Sequence, residues 1–203
     1  MRGRPLEVSF ATRMNLPGNG RYSMSEIDAI LEDGHQPLTP EQLLERLAAM
    51  NVAQTTVEHA PVFTVEEAQA LRGNLPGVHI KNLFLRNKKG AMWLVTCLED
   101  RTIDLKALGE RLQAGRFSFG SAERLMRFLG VRPGAVTPLA VINDRTSAVT
   151  MVLDRAILDA EIVNAHPLVN HMTTAIAPQD LLRFLEAVGH PPQLLDFEGS
   201  ATE

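Results

Sequence analysis

Three short groups of residues in this 203-residue chain are suited to chemistry at a carbonyl group or an anion. Lys81 and Asn82 lie in the apolar run Val78-His79-Ile80-Lys81-Asn82-Leu83-Phe84-Leu85. Period-two alternation turns Lys81 toward a half-buried face. A lysine there either snorkels to water or is held as a cation for an anionic or carbonyl ligand. Gly134 and Pro138 bracket a short loop whose Ala135 and Val136 side chains are inert. Such a loop contributes through its backbone, by N–H donors and by close approach, or it is a plain connector. His166 is followed by Pro167, which restricts it to an extended or turn backbone. It is either a solvated loop residue or part of a site.

Other chemistries find less support. His166 and His171 are five apart, with no cysteine pair or carboxylate partner, so zinc ligation is not expected. Gly18-Asn19-Gly20 has neither a strand before it nor a helix after it, so it is no nucleotide-phosphate loop. Ser118 and Ser121 flank Phe119-Gly120 without a base placed by local spacing, and Ser121 better serves as a helix cap. The one cysteine, Cys97, lies in the apolar run Met92–Leu98 and reads as a buried small hydrophobe, not a nucleophile.

The elements that must position these groups are legible from caps, turns and periodicity. Thr39, Pro40 and Gln42 form a capping box with proline at the first helical position, ahead of a stripe of Leu43, Leu44, Leu47 and Met50. Thr64 and Glu67 predict a second box opening a helix over Val65–Leu71. Strands are expected at Thr55–Glu58, Val78–Arg86 and Met92–Leu98, the last two joined by the hairpin turn Asn87-Lys88-Lys89-Gly90. Asp104 caps Leu105–Leu112, and Phe117–Phe119 reads as a brief strand. Glu123–Leu129 has one apolar helical face and ends at Gly130. Strands follow at Leu139–Ile142, Val149–Leu153, Glu161–Val163 and Thr173–Ile176, with a polar turn at Asn143-Asp144-Arg145. Pro178 opens the final helix, which turns Leu181, Leu182, Leu185 and Val188 inward. Strand runs outnumber helices and several are consecutive, which predicts an α+β domain: a mixed, largely antiparallel sheet with helices packed outside.

Hydrophobic residues make up 45% of the chain and charged residues 22%, the mix of one ordinary globular domain. Residues 1–37 show little periodicity and read as a dispensable leader ahead of a domain over residues 38–203. No apolar run approaches the ~20 residues that span a bilayer, and no signal peptide opens the chain, so the expected compartment is the cytoplasm. A net charge of −4 speaks against a generic nucleic-acid binder without excluding a local basic face. Bases outnumber acids from Arg101 to Arg132, a pattern that a solvated helical surface and an RNA contact explain equally well.

Taken together, Lys81-Asn82 on a strand, the Gly134–Pro138 loop, and His166-Pro167, Asn170 and Thr173-Thr174 in order resemble the bacterial prolyl-tRNA editing family. These are the YbaK-type domains found within prolyl-tRNA synthetases or free of them. The likeness extends over roughly Thr39 to Phe197 and includes Val62–Ala68 and Phe119–Leu125. It is nearest the freestanding branch that removes alanine from proline tRNA. It implies a carboxylic ester hydrolase without cofactor or metal, acting in trans on the acceptor end of mischarged proline tRNA. Prolyl-tRNA synthetase or an elongation factor would be a transient partner. The implied catalytic set is Lys81 at the aminoacyl ester, Asn82 beside it, the backbone of Gly134 to Pro138, and His166 near the terminal ribose. Val62, Phe63, Leu83 and Leu139 are the implied pocket walls, and Lys88, Arg116 and Arg124 the candidate tRNA contacts. Removal of cysteine or serine from tRNA, or a non-catalytic tRNA- or protein-binding module on the same fold, are the alternative expectations.

Overall fold

A computed structural model describes residues 29–60 and 76–197. Helix α1 (Pro40–Ala49) starts where expected: the Thr39 hydroxyl accepts from the Gln42 N–H while Gln42 accepts from the Thr39 N–H. Strand β1 (Gln54–Glu58) follows. The helix expected at Val65–Leu71 lies outside the described residues. Strands β2 (Val78–Arg86) and β3 (Met92–Leu98) form the antiparallel hairpin, with Gly90 at φ +89° in its turn. Asp104 caps helix α2 (Leu105–Arg111), which leads to the two-residue strand β4 (Ser118–Phe119). Helix α3 (Ala122–Leu129) is capped by Ser121 and ends at the left-handed Gly130. Beyond the Gly134 loop come β5 (Val149–Asp154), β6 (Val163–Ala165), β7 (Met172–Ile176), helix α4 (Pro178–Ala187) and β8 (Gln193–Leu195).

The sheet runs β1-β7-β6-β2-β3-β5-β8, with β4 pairing β2 off this path. β1–β7, β6–β7, β2–β3 and β2–β4 are antiparallel, whereas β2–β6, β3–β5 and β5–β8 are parallel. The architecture is thus the expected α+β domain with a mixed sheet. Alternation along β2, β3 and β5 supplies two apolar layers. Phe84, Met92, Leu94, Met151 and Leu153 join Leu43 and Leu47 of α1, Leu125 and Leu129 of α3, and Leu181 and Phe184 of α4 in the larger core. Leu85, Trp93, Val95, Cys97 and Val152 join Leu108 of α2 and Phe117 in the smaller one.

Three expectations need correction. Leu139–Ile142 is not a strand: Pro138–Asn143 is a 3-10 helix, begun by Pro138 and capped by the Thr137 hydroxyl on the Leu139 N–H at 3.3 Å. Leu139, Ala140 and Val141 are buried, and an apolar run buried on all sides carries no period to separate strand from helix. The third from last strand begins later than expected, at Val163. The polar turn is interior at its first two residues: Asn143 and Asp144 are buried and used as internal ligands for backbone, while Arg145 is exposed. Asn143 accepts from the Leu38 N–H and donates to the Leu129 carbonyl, while Asp144 accepts from the Val149 N–H.

Residues 29–37, read from sequence as the end of the leader, contact the domain. Leu31 is buried, the Glu32 N–H donates to the Arg127 carbonyl, and Arg127 pairs with Glu32. A Cβ on Gly130 would meet Pro37 at 2.7 Å, so the segment lies directly against the end of α3. A chain begun at Leu38 should therefore have a lower urea midpoint than one begun at Ala29, losing about 2 kcal/mol through the uncovered apolar surface; equal midpoints for the two would contradict this packing.

Candidate functional site

One edge of β2 pairs with β3 along Ile80–Arg86. The other edge is shared: β6 covers Val78 and His79, and β4 covers Leu85 and Arg86. Gly120 N–H extends the second contact to the Phe84 carbonyl. Among the described residues no strand covers the stretch between, Ile80 to Leu83. The two residues singled out from sequence, Lys81 and Asn82, fall in this gap.

They point to opposite faces. Asn82 shares the face of Ile80 and Phe84, opposite Thr96 of β3. Its Oδ1 accepts from the Thr96 hydroxyl at 2.6 Å, and its Nδ2 donates to the Val136 carbonyl at 2.9 Å. Thr96 is fully buried, so this polar pair sits in an apolar layer and holds the middle of the Gly134–Pro138 loop against β2. Lys81 shares the other face with Leu83 and Leu85 and is paired with Cys97 of β3. Its ammonium donates to the Arg101 carbonyl. Arg101 is itself bound to the buried Asp154 carboxylate at 3.1 Å. Burial pushes the Cys97 thiol up to about 11, only partly offset by the Lys81 cation, which keeps it protonated and inert at neutral pH.

The loop is a backbone device. Gly134 has φ +92°, a conformation that L side chains rarely adopt. A Cβ there would meet only Asn170 Nδ2, at 3.6 Å. Ala135 N–H is occupied by the Arg132 carbonyl. Among the described residues the N–H groups of Gly134, Val136 and Thr137 donate to no protein acceptor. Asn170, from the segment after His166, is thereby brought to the loop. Pro138 is buried and closes the loop by starting the 3-10 helix.

His166 stands at the end of β6, with Nδ1 2.8 Å from the Met172 carbonyl. A carbonyl only accepts, so Nδ1 carries a proton, and in the neutral tautomer Nε2 would be the acceptor. His59, at the end of β1, lies beside it with ring centroids 6.3 Å apart. His59 Nδ1 lies 2.8 Å from the Ala60 carbonyl, and its Nε2 lies 2.9 Å from the Thr173 hydroxyl. The sequence offered no local signal for His59; the pairing of β1 with β7 brings it there.

Of the implied pocket residues, Leu139 lies wholly within the larger core and Leu83 is half-buried on the Lys81 face. Val62 and Phe63 fall outside the described residues. Lys88 and Arg116 are exposed and line one notch, while Arg124 is half-buried on α3.

Fold and site together define a mixed-sheet α+β domain whose candidate site is a gap in a strand edge with a loop of backbone donors beside it. The chain belongs to the aminoacyl-tRNA editing domain family, whose model matches residues 59–184. It is 39% identical over 178 residues to a zebrafish (Danio rerio) prolyl-tRNA synthetase associated domain-containing protein 1, covering 85% of this chain and 97% of that one. It is 34% identical over 151 residues to the prolyl-tRNA editing protein ProX of Acetoanaerobium sticklandii, covering 74% and 92%. The crystal structure of a candidate trans-editing enzyme for prolyl-tRNA synthetase shares the fold, with TM-score 0.57 and 24% identity over 78% of this chain and 97% of that one. No described helix is long and apolar enough to cross a membrane.

The positive φ at Gly134 sets a stability test. Gly134→Ala should cost about 1–3 kcal/mol through backbone strain. Gly134→Asn, whose side chain tolerates positive φ, should cost less. Equal urea midpoints for wild type and Gly134→Ala would contradict the strained conformation.

Proposed function

We propose that the chain is a trans-acting deacylase that hydrolyses alanine from mischarged proline tRNA. The observation that carries this reading is the loop from Gly134 to Thr137: inert side chains, an approach left open by glycine, and three N–H groups with no protein acceptor among the described residues. Membership of the editing family and likeness to a protein named for prolyl-tRNA editing support the substrate class.

The chemistry asked of such a site is modest. An aminoacyl ester is already activated and water is abundant, so the protein must orient the ester and stabilise the oxyanion as water adds. Preorganised backbone N–H groups suit that task, each typically contributing ~10²–10³ in rate. The Gly134, Val136 and Thr137 donors take this role, and Gly134 admits the acyl group without a Cβ in its path. Lys81 is the cation proposed for the ester end: it lies in the uncovered stretch of β2 on the face opposite the loop, so the ester would lie across that open edge to reach both. Its ammonium would exchange the Arg101 carbonyl for the substrate. His166 Nε2, as an acceptor, suits the terminal ribose hydroxyl or the attacking water. The reaction needs neither a covalent intermediate nor a cofactor: the water oxygen bonds the acyl carbon, the bond from that carbon to the ribose oxygen breaks, one water proton goes to the leaving ribose oxygen, and the other passes to solvent as alanine leaves with its carboxylate. Such an activity meets a physical need, since a pocket made for proline cannot strongly reject a smaller side chain when missing methylenes alter binding by only ~1–3 kcal/mol.

A panel of alanyl-, cysteinyl-, seryl- and prolyl-tRNA tests this reading with the wild-type protein. Alanyl-tRNA should be deacylated at least about tenfold faster than prolyl-tRNA, the discrimination that a methylene or two supplies, and faster than cysteinyl- and seryl-tRNA. Faster release of cysteine or serine would move the protein to a sibling specificity. Failure on all four would make it a non-catalytic binding module.

A further inference from the structure

Phe119 is the most exposed of the large apolar side chains among the described residues, with 62% of its surface accessible. Two residues earlier in the chain, Phe117 is buried edge-on against Trp93, with ring centroids 4.9 Å apart. The exposed ring is therefore no overflow of the core. It is fixed on β4 opposite Leu85, one register step from Arg86, by the pairing with β2.

Next to it is a strongly basic notch. Buried Asn87 donates to the Ala114 carbonyl and accepts from the Lys89 and Ala91 N–H groups. This clamps the β2–β3 turn to the loop before β4, so that Lys88, Lys89 and Arg116 line one depression with Asn87, Gln113, Ala114 and Gly115. The lining holds three cations and no carboxylate, in a chain of net charge −4. Among the described residues none of the three cations has an ion-pair partner. Along β2 the order is Lys81 in the uncovered stretch, then Leu85 with Phe119 on that same face, then the notch beyond Arg86. The steps are about 10–13 Å of extended chain.

We infer that this strip is a docking track for the single-stranded 3′ end of RNA: Phe119 stacks a nucleobase, and Lys88, Lys89 and Arg116 hold backbone phosphate. An exposed aromatic beside unpaired cations is the combination that single strands recognise, since every base has a face to stack and every linkage a charge. A duplex offers the charge but not the base face. The inference rests on the proposed tRNA reading and gives it a route of entry, with the phosphates at the hairpin turn and the acyl end at the gap in β2.

The test uses the full chain and an uncharged, labelled single-stranded RNA ending in CCA, so that binding is read apart from hydrolysis. Phe119→Ala should weaken binding about 5- to 150-fold, corresponding to ~1–3 kcal/mol per stacked base, and leave the salt dependence unchanged. Phe119→Tyr should restore binding to within about threefold. The triple variant Lys88→Ala/Lys89→Ala/Arg116→Ala should flatten the slope of log affinity against log salt by about 2, at ~0.7 per phosphate contact. Wild-type affinity in Phe119→Ala would overturn the stacking role, as would a Tyr variant no better than Ala. An unchanged salt slope in the triple variant, or equal competition by duplex RNA, would overturn the track. Loss of this binding pattern with deacylation intact refutes the track alone. The pattern present without any deacylation refutes the enzymatic reading alone.

Discussion

A single peptide plane, between Val136 and Thr137, links the scaffold of this domain to its candidate chemistry. Its carbonyl is held by Asn82, and Asn82 is held by Thr96. All peptide bonds described are trans, so fixing the Val136 carbonyl aims the Thr137 N–H in the opposite sense, away from β2. A loop of small side chains has little else to define its donors. Burying Thr96 and tying it to Asn82 carries a desolvation cost of ~1–3 kcal/mol for each polar group left unpaired. That cost makes the alternative arrangements of the loop unfavourable and the observed one specific.

The interruption of β2 gives this plane its setting. A strand covered along both edges would present no uncommitted backbone near the loop. β6 and β4 instead meet β2 only at its two ends, in opposite directions. The gap between them falls where alternation sends Asn82 to one face and Lys81 to the other. Lys81 is therefore not a neighbour of Asn82 in the sense that adjacency in sequence suggests. It is kept on the second face by the Arg101 carbonyl, in a region organised by buried Asp154. The apolar layers on the two sides fix both residues from behind, since Phe84 and Leu85, the next pair along, anchor the larger and smaller cores respectively.

Much of this was legible before the fold was known. Thr39, Asp104, Ser121 and Gly130 act where local hydrogen-bond chemistry places caps, and the Asn87–Gly90 turn joins the strands it separates. The gapped motifs identified the family because their order survives independently of their geometry. What could not be read depends on contacts distant in sequence. Leu139–Ile142 looks like a strand because the core surrounds it, and only the Thr137 cap reveals the 3-10 turn. Asn143 looks like a turn residue, yet its partners Leu38 and Leu129 lie far along the chain. His59 reaches His166 through a strand pairing whose register no local pattern encodes. Residues 29–37 lack periodicity because they are held by one leucine and a few backbone bonds, with no repeating face.

The account stands or falls on the loop as an instrument aimed by Asn82, and Asn82→Ala addresses it directly. Single-turnover deacylation of alanyl-tRNA, measured beside the thermal midpoint, separates aim from folding. With the Val136 carbonyl released, the donors drift by an ångström or so while the sheet pairing of β2 with β3 persists. The account predicts a folded protein whose rate falls ~10²-fold. A folded Asn82→Ala protein that hydrolyses alanyl-tRNA at the wild-type rate would contradict it.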